Sequence, residues 1–125
     1  MTYLVDSDVL IDYLRNRAGA AEYLDSVGEW AYSIVTALEL LTGAANQKDV
    51  KKLDKVLGDF QEMPLSKEIG SRARDLMKAY TKSHGLLPLD ALIAATAINA
   101  GMKLSTKNRK HFKNIEGLEI EIPRY

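Results

Sequence analysis

Short, β-prone apolar runs alternate along this chain with longer stretches whose apolar residues return at helical spacing, and that alternation limits the fold more than any single residue does. TYLV (2 to 5) opens as a strand, and Val9, Leu10, Tyr13 and Leu14 then share one helix face. A second amphipathic helix is expected over 19 to 27, ending at Gly28, with AYSIV (31 to 35) as the next strand. TALELLTGAA reads as helix as far as Gly43, and residues 48 to 59 place Val50, Leu53, Val56 and Leu57 on one face with lysines elsewhere. EMPL is a brief extended piece, 66 to 83 a long helix closed by His84 and Gly85, and ALIAATAINA a strongly apolar helix that stops at Gly101. MKLST then reads as a strand, NRKHF as one helical turn and LEIEI as a last alternating strand. Strands joined through helices are βα units, so the expected class is α/β, a parallel sheet covered on both faces. No repeat, low-complexity tract or linker breaks the pattern, and residues 1–125 are read as one domain.

Composition narrows the chemistry. With 125 residues, 46% of them hydrophobic, the chain can pack a core without disulfides or a structural metal. Seventeen basic residues balance seventeen acidic ones, so contact with a polyanion must come from local clustering of charge. The absence of cysteine excludes thiolate sites, and the two histidines, His84 and His111, are too far apart for a helical zinc pair. Carboxylates remain. No basic segment followed by a signal-length apolar run opens the sequence, and no apolar stretch reaches the ~20 residues of a membrane span; a soluble cytoplasmic protein with no membrane association is expected.

In open parallel sheets ligands sit beyond the carboxyl ends of the strands, and the first strand delivers Asp6 there. Asp6 or Ser7 would equally suit a helix N-cap. Asp8 falls in the first helical turn, where negative charge favours the helix dipole. Glu39 lies between Leu38 and Leu40, with Val35 and Thr42 at i−4 and i+3, so it shares or borders a face that must be buried. A buried, unpaired carboxylate costs several kcal/mol or takes up a proton, and a cation or wet cleft relieves it; the alternative is an edge glutamate reaching water. Asp90 follows Pro88 at the start of a helix too apolar for the surface, where it can cap the helix and also point toward Asp6. KLSTKNRKHFK (103 to 113) holds five Lys or Arg and no acid: a solvated face, or a phosphate-binding rim if it adjoins the carboxylates. Phe112 reads as core, His84 as a helix end, and His111 as a phosphate contact without a nameable partner.

VDSDVLIDYL with Asp6, TALELLTG with Glu39, LLPLDALIAATAINAGMKLST with Asp90, and TKNRKHFKNIEGLEI together resemble, over nearly the whole chain and in order, the PIN-domain family, especially the VapC-type toxins of toxin-antitoxin systems. The resemblance implies a three-layer α/β/α fold around a parallel sheet of about five strands. It further implies a Mg²⁺-dependent (or Mn²⁺-dependent) endoribonuclease that prefers single-stranded RNA, forms a homodimer and is neutralised by a VapB-type antitoxin. Carried over by position, Asp6, Glu39 and Asp90 would be the catalytic, metal-binding acids. Ser7 would supply a small hydroxyl beside them, Thr106 and Asn108 would orient a ligand, a water or the phosphate, and Lys107, Arg109 and Lys110 would contact phosphates. Many members carry a fourth acid at the position of Asn108 or His111, and neither is acidic here; a second metal ion would need Asp8 or the substrate phosphate to complete its shell.

Three other readings compete. VDSDVL also resembles the phosphatases of the haloacid dehalogenase superfamily, with Thr36 as the later hydroxyl, although residues 100 to 125 offer no convincing acidic pair. A PIN scaffold without catalysis could merely hold RNA or protein, and a housekeeping nuclease would have no antitoxin.

Overall fold

In the computed structural model, which describes residues 2–125, the first apolar run becomes the middle strand of a five-stranded sheet. The elements are β1 (Tyr3–Val5), α1 (Ser7–Leu14), α2 (Ala20–Ser26), β2 (Trp30–Ser33), α3 (Ile34–Thr42), α4 (Gln47–Leu57) and β3 (Gln61–Met63), then α5 (Lys67–His84), α6 (Pro88–Ala100), β4 (Lys103–Ser105), α7 (Arg109–Phe112) and β5 (Ile120–Glu121). The strand order is β3-β2-β1-β4-β5, and all four pairings are parallel. From β1 the chain builds first toward β2 and β3, then returns to lay β4 and β5 on the other side. The carboxyl end of β1 is therefore the point where the winding reverses, the position at which such sheets open a crevice. In register, Val5 faces Ser105, so the residues just beyond each strand, Asp6 and Thr106, become neighbours.

Alternation along each strand feeds two cores. Leu4, Ala31 and Leu104 pack on one face against α5 and α6 through Ile69, Ala73, Leu76, Ile93 and Ala94. Val5, Trp30 and Tyr32 face the other way, toward Val9, Leu10 and Leu24 and toward Leu40, Leu53 and Leu57 of α3 and α4. Burying one such leucine stabilises the fold by about 1.5–3 kcal/mol, so Leu4 and Leu10 on opposite faces each hold a layer in place. Small residues let α6 lie close: Ala91, Ala94, Ala95 and Ala97 are all fully buried. Among the described residues no helix is long and apolar enough to cross a membrane.

Three boundaries differ from the sequence expectation. The strand expected through Val35 stops at Ser33, because the Ser33 hydroxyl oxygen accepts the Val35 N–H at 3.0 Å and starts α3 at Ile34. α6 begins at Pro88, a residue suited to a first helical turn, which puts Asp90 inside that turn rather than ahead of it. Of LEIEI only Ile120 and Glu121 pair with the sheet, opposite Leu104 and Ser105.

Candidate active site

Asp6 leaves β1 at its carboxyl end and is buried, 5% exposed. Its Oδ1 accepts the Ser7 N–H at 2.8 Å, which starts α1, and its Oδ2 accepts the Thr106 hydroxyl at 2.7 Å. Thr106 is itself fully buried, so the β1 and β4 register fixes the carboxylate from both sides. Burial, with Asp8 next and Asp90 adding, pushes the Asp6 carboxyl up to about 7, although the Thr106 and Ser7 hydrogen bonds oppose the shift.

Asp8, two residues further, is more than a helix-start residue. Its Oδ2 accepts the Lys107 N–H at 3.0 Å, while its Oδ1 is buried without a hydrogen-bond partner. Burial raises its pKa, against the bonds from the Lys107 and Val9 amides. α3 carries Glu39 at the border of its buried face: Leu40 is 8% exposed but Leu38 is 55% exposed. The Oε1 of Glu39 is also buried without a partner. Its carboxyl is raised by burial, with the charges of Asp90 and Asp8 adding and the Ser7 hydroxyl opposing. Asp90, in the first turn of α6, accepts the Leu87 N–H at 3.3 Å and faces His111 Nδ1 at 2.9 Å, both through Oδ2.

Three segments of the chain thus bring four carboxylates into one another's fields at the reversal point of the sheet. Asp8 and Asp90 each raise both Asp6 and Glu39. A cluster of like charges is unfavourable unless protons or a cation relieve it. Among the described residues no three acidic or histidine side chains close round a point as a finished metal cage. The donors nevertheless suit a hard divalent ion: two buried carboxylate oxygens, on Asp8 and Glu39, have nothing to bond. Mg²⁺ in particular keeps several waters and takes one or two carboxylates plus a substrate phosphate, so a partial protein shell is the appropriate one.

The other sequence-selected residues divide. Thr106 and Ser7 both touch Asp6. Asn108 instead caps α7, its Oδ1 accepting the His111 N–H at 3.3 Å. Lys107, expected at a phosphate, is already committed: its ammonium pairs with Asp12 at 2.8 Å and lies 5.5 Å from the centre of the Tyr125 ring. Arg109 and Lys110 are exposed and form no ion pair among the described residues. The sequence alone did not disclose the contact of His111 with Asp90 or the bond that the Lys107 amide makes to Asp8. Beside the acids, α1, α3 and α4 enclose a groove of about 480 Å³, lined by Ile11, Leu14, Leu40, Leu53 and Val56 and reached by Glu39.

The chain is similar to known proteins over nearly its whole length. Residues 3–118 match the family model for the PIN domain. The chain is 40% identical over 122 residues to Ribonuclease VapC10 of Mycobacterium tuberculosis, covering 93% of this chain and 90% of that protein. It is 34% identical over 121 residues to Ribonuclease VapC1 of Methanocaldococcus jannaschii, covering 95% and 85%. Among solved structures, a chain of a toxin-antitoxin complex from Klebsiella pneumoniae matches with a TM-score of 0.85 at 29% identity, over 98% of both chains.

Proposed function

The chain belongs to the PIN-domain family, and from that premise we propose that it is a metal-dependent endoribonuclease acting on single-stranded RNA, the toxin of a toxin-antitoxin pair. The observation that carries the reading is the convergence of Asp6, Glu39 and Asp90, with Asp8 beside them, where the sheet reverses its winding, two of their buried oxygens lacking any partner. Ribonuclease names among relatives at 40% and 34% identity support the substrate class.

Asp6, Glu39 and Asp90 would hold Mg²⁺ or Mn²⁺, with Asp8 as a further oxygen donor. When bound, the ion supplies charge neutralisation at the scissile phosphate and lowers the pKa of a water. The chain's own groups do the rest. Thr106 and the Ser7 amide keep Asp6 from turning, which preserves the ligand geometry between turnovers. Glu39, with an unbonded Oε1 and a raised pKa, is the carboxylate suited to take the proton of the attacking water. Attack in line forms the new P–O bond as the bond to the leaving ribose oxygen breaks, and that oxygen is protonated from solvent. Arg109 and Lys110 would hold flanking phosphates, while Lys107, tied to Asp12, adds field without leaving its place.

A small VapB-type antitoxin is the partner we assign, on the likeness to a toxin-antitoxin complex. The apolar groove beside Glu39 would let a bound segment shade the acids. Exposed Leu38 and Leu41 on α3, with Leu87 and Leu89 at the start of neighbouring α6, are apolar area that a homodimer would cover. Its RNA substrate puts its work in the cytoplasm. The phosphatase reading loses its ground with the family match, and Thr36, the hydroxyl it required, is fully buried.

The test is cleavage of a panel of single-stranded RNAs. Cutting is expected with Mg²⁺ or Mn²⁺, to stop on chelation, and to be lost in folded Asp6→Asn and Asp90→Asn. Undiminished cutting by either variant would remove the mechanism, and RNA binding with neither metal uptake nor cutting would identify an inactive scaffold.

A further inference from the structure

α7 is only four residues long, yet it is anchored from every side. Phe112 is fully buried, the Asn108 side chain caps the turn, the His84 Nε2 lies 2.7 Å from the Lys113 carbonyl oxygen, and the Tyr80 hydroxyl accepts the Glu116 N–H at 3.0 Å. One product of this anchoring is the direction of His111, whose Nδ1 lies 2.9 Å from Oδ2 of Asp90. Both side chains are mostly shielded, 22% and 18% exposed, so the contact is not a loose surface pair.

Two groups meet His111 Nδ1, Asp90 Oδ2 at 2.9 Å and the Asn108 amide nitrogen at 3.0 Å. A carboxylate only accepts hydrogen bonds and is the stronger partner, so the imidazole proton is placed on Nδ1 and the amide directs its own protons elsewhere. The Leu87 N–H reaches the same Oδ2, at 3.3 Å. Two donors, a backbone amide and an imidazole, therefore hold one oxygen of Asp90 and leave Oδ1 without a protein partner among the described residues. Outer groups of this kind orient carboxylate ligands and hold their basicity.

We propose that His111 is the positioning residue of the centre: through Nδ1–H it fixes Asp90 Oδ2 so that Oδ1 is the oxygen offered to a divalent cation. This rests on the metal-dependent reading above. It gives the last segment of the chain a part in the centre although that segment supplies no acid.

The experiment compares Mn²⁺ binding by calorimetry, kcat and KM on one cleaved RNA, and the ¹⁵N spectrum of the histidine rings, in the full chain and in His111→Ala, His111→Asn and His111→Gln. An asparagine amide nitrogen occupies the place of Nδ1, whereas that of glutamine reaches toward Nε2. His111→Ala is expected to weaken Mn²⁺ binding and lower kcat by about tenfold each, with KM within about twofold. His111→Asn should recover binding to within about threefold of the natural chain and His111→Gln should not. The spectrum should show the proton of His111 on Nδ1. Equal binding and kcat in a folded His111→Ala, equal rescue by both amides, or a ring protonated on Nε2 alone would overturn the proposal. Should alanine prevent folding, the contrast between asparagine and glutamine decides. A natural chain that takes up no Mn²⁺ removes the metal-dependent reading and this inference together, whereas Mn²⁺ uptake unaffected by His111 removes only the inference.

Discussion

Two acidic regions share one sheet and are treated oppositely by the fold. Glu121 on β5 is fully answered: its Oε1 accepts the Tyr3 hydroxyl at 3.2 Å and its Oε2 the Tyr23 hydroxyl at 2.7 Å, and Tyr23 also meets the Ser105 hydroxyl at 2.6 Å. Asp12 is answered as well, by Lys107 and by the Tyr125 hydroxyl, whose hydrogen bonds hold its carboxyl below the ordinary range. At the end of β1 the fold gathers acids and gives several of their oxygens nothing. A satisfied carboxylate belongs to the architecture, and a set of mutually repelling, partly unsatisfied ones leaves work for a group from outside.

Substitutions should separate the two regions. The largest effect is expected from Asp6→Asn or Asp90→Asn, with RNA cleavage reduced at least ~10³-fold, the scale of lost transition-state charge stabilisation. The metal-free Asp6→Asn protein should melt no lower than the natural one, because a repelled charge has been removed; thermal scans without metal check this. Glu39→Gln should cost about 10²-fold in kcat, as loss of a proton acceptor does, and likewise spare stability.

The third expectation is a pH drift. Asp6 titrates near 7 in the folded chain against an ordinary 3.8, so between those values the native state binds more protons than the unfolded chain. Stability of the metal-free protein is then highest at the acid end of that window and falls as pH rises through it. Asp8 and Glu39 are shifted the same way and add to the slope. Urea midpoints at pH 5 and 8 read the difference, and added Mn²⁺ should raise the midpoint most at pH 8, where the acids are ionised. The smallest effect belongs to the satisfied region: Tyr23→Phe should lose about 1 kcal/mol of stability in urea and leave kcat within about twofold. A Tyr23→Phe protein as inactive as Asp6→Asn would break the distinction between the regions.

The acids that sequence reading selected are those with a local signal. Asp6 interrupts an apolar run, Glu39 sits between two leucines, and Asp90 follows a proline into an apolar helix. Asp8 has a local explanation that suffices, a charge in a first helical turn; its partner, the Lys107 amide, arrives from 99 residues away. For the same reason His111 could not be joined to Asp90, nor Lys107 withdrawn from the phosphate rim by Asp12 and Tyr125. The α/β alternation was legible because hydrophobic spacing records it directly. Its errors lie at ends, where one side-chain hydrogen bond outweighs propensity: β-branched Ile34 and Val35 look like strand, and the Ser33 cap makes them helix.

The carboxylate of Asp6 and the hydroxyl that steadies it are 100 residues apart. A ribosome making this chain therefore carries no working centre while β2, β3 and the long helices emerge, since β4 must leave the exit tunnel and dock beside β1 first. A fragment released before Thr106 would lack the hydroxyl that holds Asp6, and the centre as a whole can assemble only once synthesis is nearly done.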